Sequence, residues 1–286
     1  MKNSKEDYQP LFSVLVANYN NGKYLMEAIE SIRQQVYSSW EIILVDDDST
    51  DNSKDIYQEL EKDQRIHIYY NEQNMGCGYT KRKCVELANG ELCGFLDPDD
   101  ALLPNALQVM VETHKLHPEV SLVTSRYYFC DVNLKPYRES RPLVIPAGKD
   151  FFTTGTYSAE VFASFKKDIY NKTSGISEEY HLGVDQDLYF KLEEIAPIMS
   201  INDLTYKYRI FKGSISSNEL KARYWNMIIH HDVCRRRGLN PDDYSFKDMY
   251  IIKNYCQDEV RKTTTYRVGQ IILKPLKAIR QLFCKP

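Results

Sequence analysis

Four times within the first 117 residues, a short β-rich run is followed by a stretch of helical period. "LFSVLVA" (11–17) leads to 22–34, "EIILVD" (41–46) to 52–63, "RIHIYY" (65–70) to 79–89 and "LCGFLD" (92–97) to 104–117. Such alternation makes βαβ units and a largely parallel sheet. Ile42, Ile43, Leu44 and Val45 are apolar in succession, the pattern of a strand with helices over both sheet faces. Three runs end in polar clusters, "NYNNG", "DDDSTD" and "DPDD". In an open α/β sheet ligands bind beyond the carboxyl ends of the strands, so these clusters are expected to share one crevice.

Beyond "SLVTSRYYFC" (121–130) the pattern loosens. Residues 131–157 carry three prolines and little periodicity, which reads as a long excursion over the crevice. A helix is expected near 159–170. Another is expected over 183–196, where Leu188, Leu192 and Ile195 recur at helical spacing and Asp185 and Asp187 suit the dipole of the first turn. "YKYRIFKGSIS" (206–216) alternates like a strand. The α/β domain is therefore expected to span 1–216, with a helical, highly charged extension over 217–286.

A length of 286 residues fits one large domain with an appendage. With 37 basic and 40 acidic residues the net charge is −3, which argues against a nucleic-acid partner, and Lys81-Arg82-Lys83 reads as a solvated helix face. The seven cysteines form no C-x-x-C pair and fit reduced thiols. His230 to Cys234 reads as ordinary helix rather than a metal site. The start, "MKNSKEDYQP", has no apolar signal core, and no run of 18 apolar residues occurs. A cytoplasmic location is the expectation.

Asp97, Asp99 and Asp100 crowd three negative charges behind an apolar strand. They repel one another and cost stability unless something positive arrives. Hard carboxylate oxygens suit Mg²⁺ or Mn²⁺, ions that take one or two protein carboxylates and complete their shells with water and phosphate oxygens. A metal-bound, phosphorylated ligand is thus one reading; a helix cap in "DDALLP" is the other. "DDDSTD" carries the same ambiguity. As an EF-hand it fails, because no glycine lies at the sixth position from Asp46 or Asp47.

Five blocks, "VLVANYNNGKYLMEAIESIRQQ", "WEIILVDDDSTDNS", "NEQNMGCGYTKRKCVELANGELCGFLDPDDALLP", "GVDQDLYFKL" and "YRIFKGSIS", resemble in order and spacing the family 2 glycosyltransferases over about residues 11–216. The resemblance implies the GT-A fold, a Rossmann-like, mostly parallel sheet with helices on both faces. It also implies an inverting transfer from a nucleotide-diphospho-sugar, with a UDP-sugar the expected donor, to a hydroxyl of a glycan or polyprenyl-linked glycan. On matching positions, Ala17, Asn18 and Tyr19 fall where the nucleotide base is contacted, and Asp47 where an aspartate hydrogen-bonds that base. Asp46 joins this donor set, and Lys81 takes the place of an arginine near the donor. Asp97 and Asp99 match the D-x-D, with Asp99 the direct ligand of Mn²⁺ or Mg²⁺ and Asp97 nearer the ribose. Asp185 matches the general base, while Asp187 reads as structural. Two positions depart from the pattern. Val184 stands where many relatives have Glu, and Phe211 where a histidine can reach the metal.

Two rival readings exist. A haloacid-dehalogenase-type phosphohydrolase also uses an aspartate pair after a buried strand, but Ala101 stands where it wants Thr or Val. A non-catalytic sugar-nucleotide-binding subunit would keep the fold and lose turnover. Finally, in the tail (265–286), Val268, Ile271, Ile272, Leu276, Ile279, Leu282 and Phe283 recur at helical spacing among Arg267, Lys274, Lys277, Arg280 and Lys285, with no acid after Glu259. That pattern suits an amphipathic helix on an anionic membrane surface and a peripheral enzyme at the inner face.

Overall fold

A computed structural model describes residues 9–154, 162–211, 219–244, 257 and 261–262. The tail at 265–286 lies outside the described residues. Two compact units divide the chain, Met1–Ser214 and Ile215–Pro286. In the first, the alternation read from the sequence is realised as β1 (Phe12–Asn18), α1 (Gly22–Arg33), β2 (Trp40–Asp46), α2 (Ser53–Leu60), β3 (Ile66–Tyr70), α3 (Cys77–Leu87) and β4 (Leu92–Phe95). There follow β5 (Ala101–Leu102), α4 (Ala106–Leu116), β6 (Leu122–Cys130), β7 (Pro136–Glu139), α5 (Phe151–Thr154), β8 (Ala163–Lys166), α6 (Lys167–Tyr170), α7 (Val184–Glu193) and β9 (Ile198–Arg209).

The sheet runs β3-β2-β1-β4-β8-β6-β9-β5, with β7 beside β6. Its β3-β2-β1-β4 half is parallel, Asn18 lying opposite Asp46 at the carboxyl end. Every residue of β2 is buried, as a strand covered on both faces must be. The other half is mixed. β8 is antiparallel to both β4 and β6, whereas β6 and β9 run parallel.

Two expectations change here. The helix expected near 159–170 gives way, among the described residues, to strand β8 and the single turn α6. Ala163, Ser164 and Phe165 are all buried in mid-sheet, and a short run covered on both faces has no period that separates strand from helix. The strand expected at 206–216 begins at Ile198 and is described to Arg209. Asn202 and Asp203 break its alternation beside a register shift, where Ser200 pairs with Thr124 and Leu204 with Arg126.

In the second unit α8 (Glu219–Arg237) buries Met227, Ile229, Val233 and Cys234, and burial pushes the imidazole of His230 down to about 4. Among the described residues no helix is long and apolar enough to cross a membrane.

His114, on α4, is a second buried imidazole. Its Nε2 lies 3.0 Å from Ser164 Oγ, and burial, with Lys166 nearby, pushes its pKa down to about 4. A base with a depressed folded pKa stabilises nothing extra above pH 6.5, and costs stability as pH falls toward 4 because the unfolded chain takes the proton. The expected cost is about 3 kcal/mol at pH 4, from 1.36 kcal/mol per pKa unit. Chemical denaturation of wild type and His114→Gln at pH 7 and pH 4 checks this: the wild type is expected to lose more stability by about that amount.

Candidate active site

The polar clusters meet at the carboxyl edge of β1, β2 and β4, beginning with two loops knitted by short side chains. Asn20, in the left-handed region at φ 55°, accepts from the backbone of Thr50, and its own N–H donates to Ser49 Oγ. Asp51 Oδ2 accepts from Gly22 N at 2.8 Å, which ties the start of α1 to the loop after β2. A Cβ at Gly22 would lie 2.5 Å from Asn52 Oδ1, so that approach requires glycine.

Beneath these loops lie Asn18 and Asp46, both essentially inaccessible. The Asn18 amide donates to Tyr57 and Ser53 and lies 3.3 Å from Asp46 Oδ1, and Asp46 accepts from the Tyr57 hydroxyl at 2.5 Å and from Ser49 N at 3.0 Å. These two members of the expected donor set are thus buried and bonded within the protein. Tyr19, by contrast, is 48% exposed, and Ala17 is half-buried. Asp47 is also buried. Its carboxylate accepts from Asn71 Nδ2 at 2.7 Å, Met75 N at 2.8 Å and Gly76 N at 2.9 Å. Gly76, at φ 88°, precedes the first residue of α3, so Asp47 holds the entry of that helix.

One turn into α3 comes Lys81. It is not the solvated residue its sequence neighbours suggested, being only 4% exposed. Its Nζ donates to both Asp185 oxygens at 2.9 and 2.8 Å and lies 3.3 Å from Asp97 Oδ1 and 4.9 Å from the centre of the Phe95 ring. Burial alone would lower the lysine pKa; Asp185 and Asp97 outweigh it and hold the ammonium well above its usual range. Two acids 88 residues apart in sequence thus share one cation, which places α7 against the end of β4. The approach depends on Gly78, where a Cβ would lie 2.3 Å from the Ser177 carbonyl oxygen. Between these groups burial pushes the Cys77 thiol up to about 11, far from a reactive thiolate.

The turn Asp97–Asp100 is not a helix cap: α4 starts at Ala106 with Asn105 before it, and β5 intervenes. Asp100 is buried and structural, accepting from the Tyr206 hydroxyl at 2.8 Å and Arg209 N at 2.7 Å. Among the described residues, no other residue hydrogen-bonds the Asp99 carboxylate, and burial, with Asp97 beside it, pushes that carboxyl up to about 6. An acid held so far from its usual range, with Asp97 exposed beside it, is a donor pair suited to a hard divalent cation. Among the described residues no group of three His, Cys, Asp or Glu side chains is arranged for a metal. A cation held by this pair would have to draw its remaining ligands from a bound phosphate and water. Phe211 offers none; its ring packs 5.5 Å from that of Tyr24.

Three residues that the sequence left unremarked organise this site: Gly78, Asn71 and Arg209. Each stands inside a quoted block, yet only a three-dimensional neighbour shows its purpose. Asp187, read as structural, is fully buried and paired with Lys191 at 2.6 Å.

Removing the shared cation tests the arrangement. Lys81→Met is expected to cost about 1–3 kcal/mol, less than a fully buried pair because Asp185 and Asp97 keep a third or more of their side-chain exposure. Adding Asp185→Asn to that variant should restore about 1 kcal/mol in a double-mutant cycle, the coupling expected of contacting residues. Strict additivity in denaturation experiments would show that the pair is not formed in solution.

Comparison with known proteins places this geometry. The glycosyltransferase GlyG of Streptococcus pneumoniae is 27% identical over 86% of the chain and 88% of that protein. The Escherichia coli UDP-Glc:alpha-D-GlcNAc-diphosphoundecaprenol beta-1,3-glucosyltransferase WfgD is 28% identical over 78% of the chain and 86% of its own length. Among solved structures, S. aureus TarS in complex with UDP-GlcNAc superposes with a TM-score of 0.62 at 20% identity, covering 76% of this chain and 66% of that one, which shows a shared fold. The model of glycosyl transferase family 2 matches residues 13–174, more than half of the chain, and the protein belongs to that family.

Proposed function

We propose that the chain is an inverting hexosyl- or N-acetylhexosaminyl-type transferase. It moves a sugar from a nucleotide-diphospho-sugar, a UDP-sugar first among candidates, to a hydroxyl of a glycan or polyprenyl-linked glycan in bacterial surface polysaccharide assembly. The observation that carries this reading is that Asp185 and Asp97 meet on one buried Lys81 beside Asp99. The name of the E. coli relative, with its UDP-Glc donor and diphosphoundecaprenol-linked acceptor, supports the substrate class. TarS bound to UDP-GlcNAc supports the nucleotide.

In this reading Asp99, with Asp97, would hold Mn²⁺ or Mg²⁺, which when bound would supply charge stabilisation to a leaving diphosphate. Lys81 takes one lone pair of each Asp185 oxygen and leaves others for an acceptor hydroxyl. As that hydroxyl attacks the anomeric carbon, its proton passes to Asp185, the new carbon–oxygen bond forms on one face, and the bond to diphosphate breaks on the other. Tyr19, exposed at the strand end, would offer its ring for a nucleotide base to stack on; Ala17 lies at the end of the same strand, and Asp47 keeps the α3 entry in place. The tail at 265–286 would hold the enzyme at the anionic inner face of the membrane, near a lipid-linked acceptor.

Asp185→Asn separates chemistry from binding. It is expected to lower turnover about a hundredfold with donor affinity little changed. Asp99→Ala, or EDTA on the wild type, is expected to abolish transfer. Steady-state kinetics with a UDP-sugar and Mn²⁺ check both, and unimpaired turnover in either variant would contradict the assignment. A wild-type chain that binds donor and never turns it over is instead the non-catalytic subunit.

A further inference from the structure

Arg209, the last residue of β9, is 2% exposed. Its guanidinium is spent on three segments: Nε donates to the Asp99 carbonyl at 2.5 Å, Nη1 to the Val132 carbonyl at 2.5 Å, and Nη2 to Glu27 Oε2 on α1 at 2.6 Å. Its plane lies 4.3 Å from the centre of the Tyr24 ring, also on α1. Arg209 N donates to Asp100 Oδ1 at 2.7 Å. One residue therefore grips the acid turn twice, at the Asp99 oxygen and the Asp100 carboxylate. With the Asp99–Asp100 peptide held at its carbonyl and Asp100 held through its carboxylate, the Asp99 side chain keeps only its own two torsions, so the point from which its carboxylate reaches follows from where Arg209 sits.

That position is set from α1. Glu27 fixes one end of the fork, Tyr24 supports its face, and Phe211, two residues further along, packs on the same ring at 5.5 Å. A planar group with five donors can span three segments; an ammonium on the same stem cannot. Charge acts in the same direction: Asp97, Asp99 and Asp100 repel one another, and the buried Arg209 guanidinium, bonded to the Asp99 carbonyl, brings positive charge to that turn.

We propose that Arg209, held by Glu27 and Tyr24, is the positioning residue of the metal-binding turn. It keeps Asp99 aimed at the diphosphate before any cation arrives, and so offsets the lack of a histidine at position 211. The proposal rests on the donor and metal reading above, but concerns how Asp99 is aimed rather than what it holds. Groups that orient a metal ligand typically change metal affinity by about 10–100-fold when removed. A residue that merely joins segments would change the melting temperature alone.

The test uses the full chain, with UDP and in parallel GDP as nucleotide probes and Mn²⁺ as the metal. Free Mn²⁺ is measured by electron paramagnetic resonance, and the melting temperature is followed with and without ligand. Arg209→Lys is expected to raise the half-saturating Mn²⁺ concentration about tenfold in the presence of nucleotide. Glu27→Gln, at a side chain half exposed to solvent, is expected to fold normally and to raise that concentration by a smaller factor, about threefold. Should Arg209→Lys fail to fold by circular dichroism, Glu27→Gln decides alone. Folded variants that bind Mn²⁺ as the wild type does would overturn the proposal while leaving the donor reading intact. A wild-type chain with no Mn²⁺-dependent response to either nucleotide would overturn both.

Discussion

The buried ammonium of Lys81 is the interaction on which the site depends. It lies on α3, donates to Asp185 of α7, pairs with Asp97 in the turn after β4, and is almost closed to water. A lysine buried alone would give up its proton or its place; with two carboxylates it keeps both. The demand runs backward through the fold. α3 must enter at one angle, which Asp47 enforces through Met75 and Gly76, and must come close to the segment before α7, which Gly78 permits.

Around that pair the crevice is organised in two tiers. The lower tier, Asn18, Asp46, Ser53 and Tyr57, exchanges hydrogen bonds within itself and holds the loops that follow β1 and β2. The upper tier, Tyr19, Asp97, Asp99 and Asp185, retains exposure and is where a ligand can be met. Carboxylates in the two tiers do different physical work. That of Asp46, like that of Asp100 in the acid turn, is satisfied by the protein's own donors; that of Asp99 is held at about 6 by burial and its neighbour, a state that a divalent cation would relieve.

Much of this was legible in the sequence, for identifiable reasons. The parallel half of the sheet announced itself because strands covered on both faces are apolar throughout, and Ile42 to Val45 are such a strand. Asp99 and Asp185 were singled out because the five blocks resemble a known family, not because spacing alone distinguished them from helix-start acids. β8 escaped because a four-residue strand in mid-sheet carries no period, and the early half of β9 because Asn202 and Asp203 interrupt its alternation. The tier assignment was hidden as well. The family resemblance put Asn18 and Asp46 in the donor set, and a sequence does not say that both side chains are also bonded within the protein. The same limit made Lys81 look solvated and left Arg209 unremarked: its partners lie on α1, in the acid turn and after β6, all distant in sequence.

The central claim is that Asp99 and Asp185 flank one donor, Asp99 on the diphosphate side and Asp185 on the acceptor side. The most direct measurement is anomalous diffraction from crystals of the full chain grown with Mn²⁺ and UDP. The account predicts one manganese peak within direct ligand distance of the Asp99 carboxylate and of diphosphate oxygens, with the uracil against the loops after β1 and β2. A manganese site away from Asp99, or UDP bound on another edge of the sheet, would contradict it.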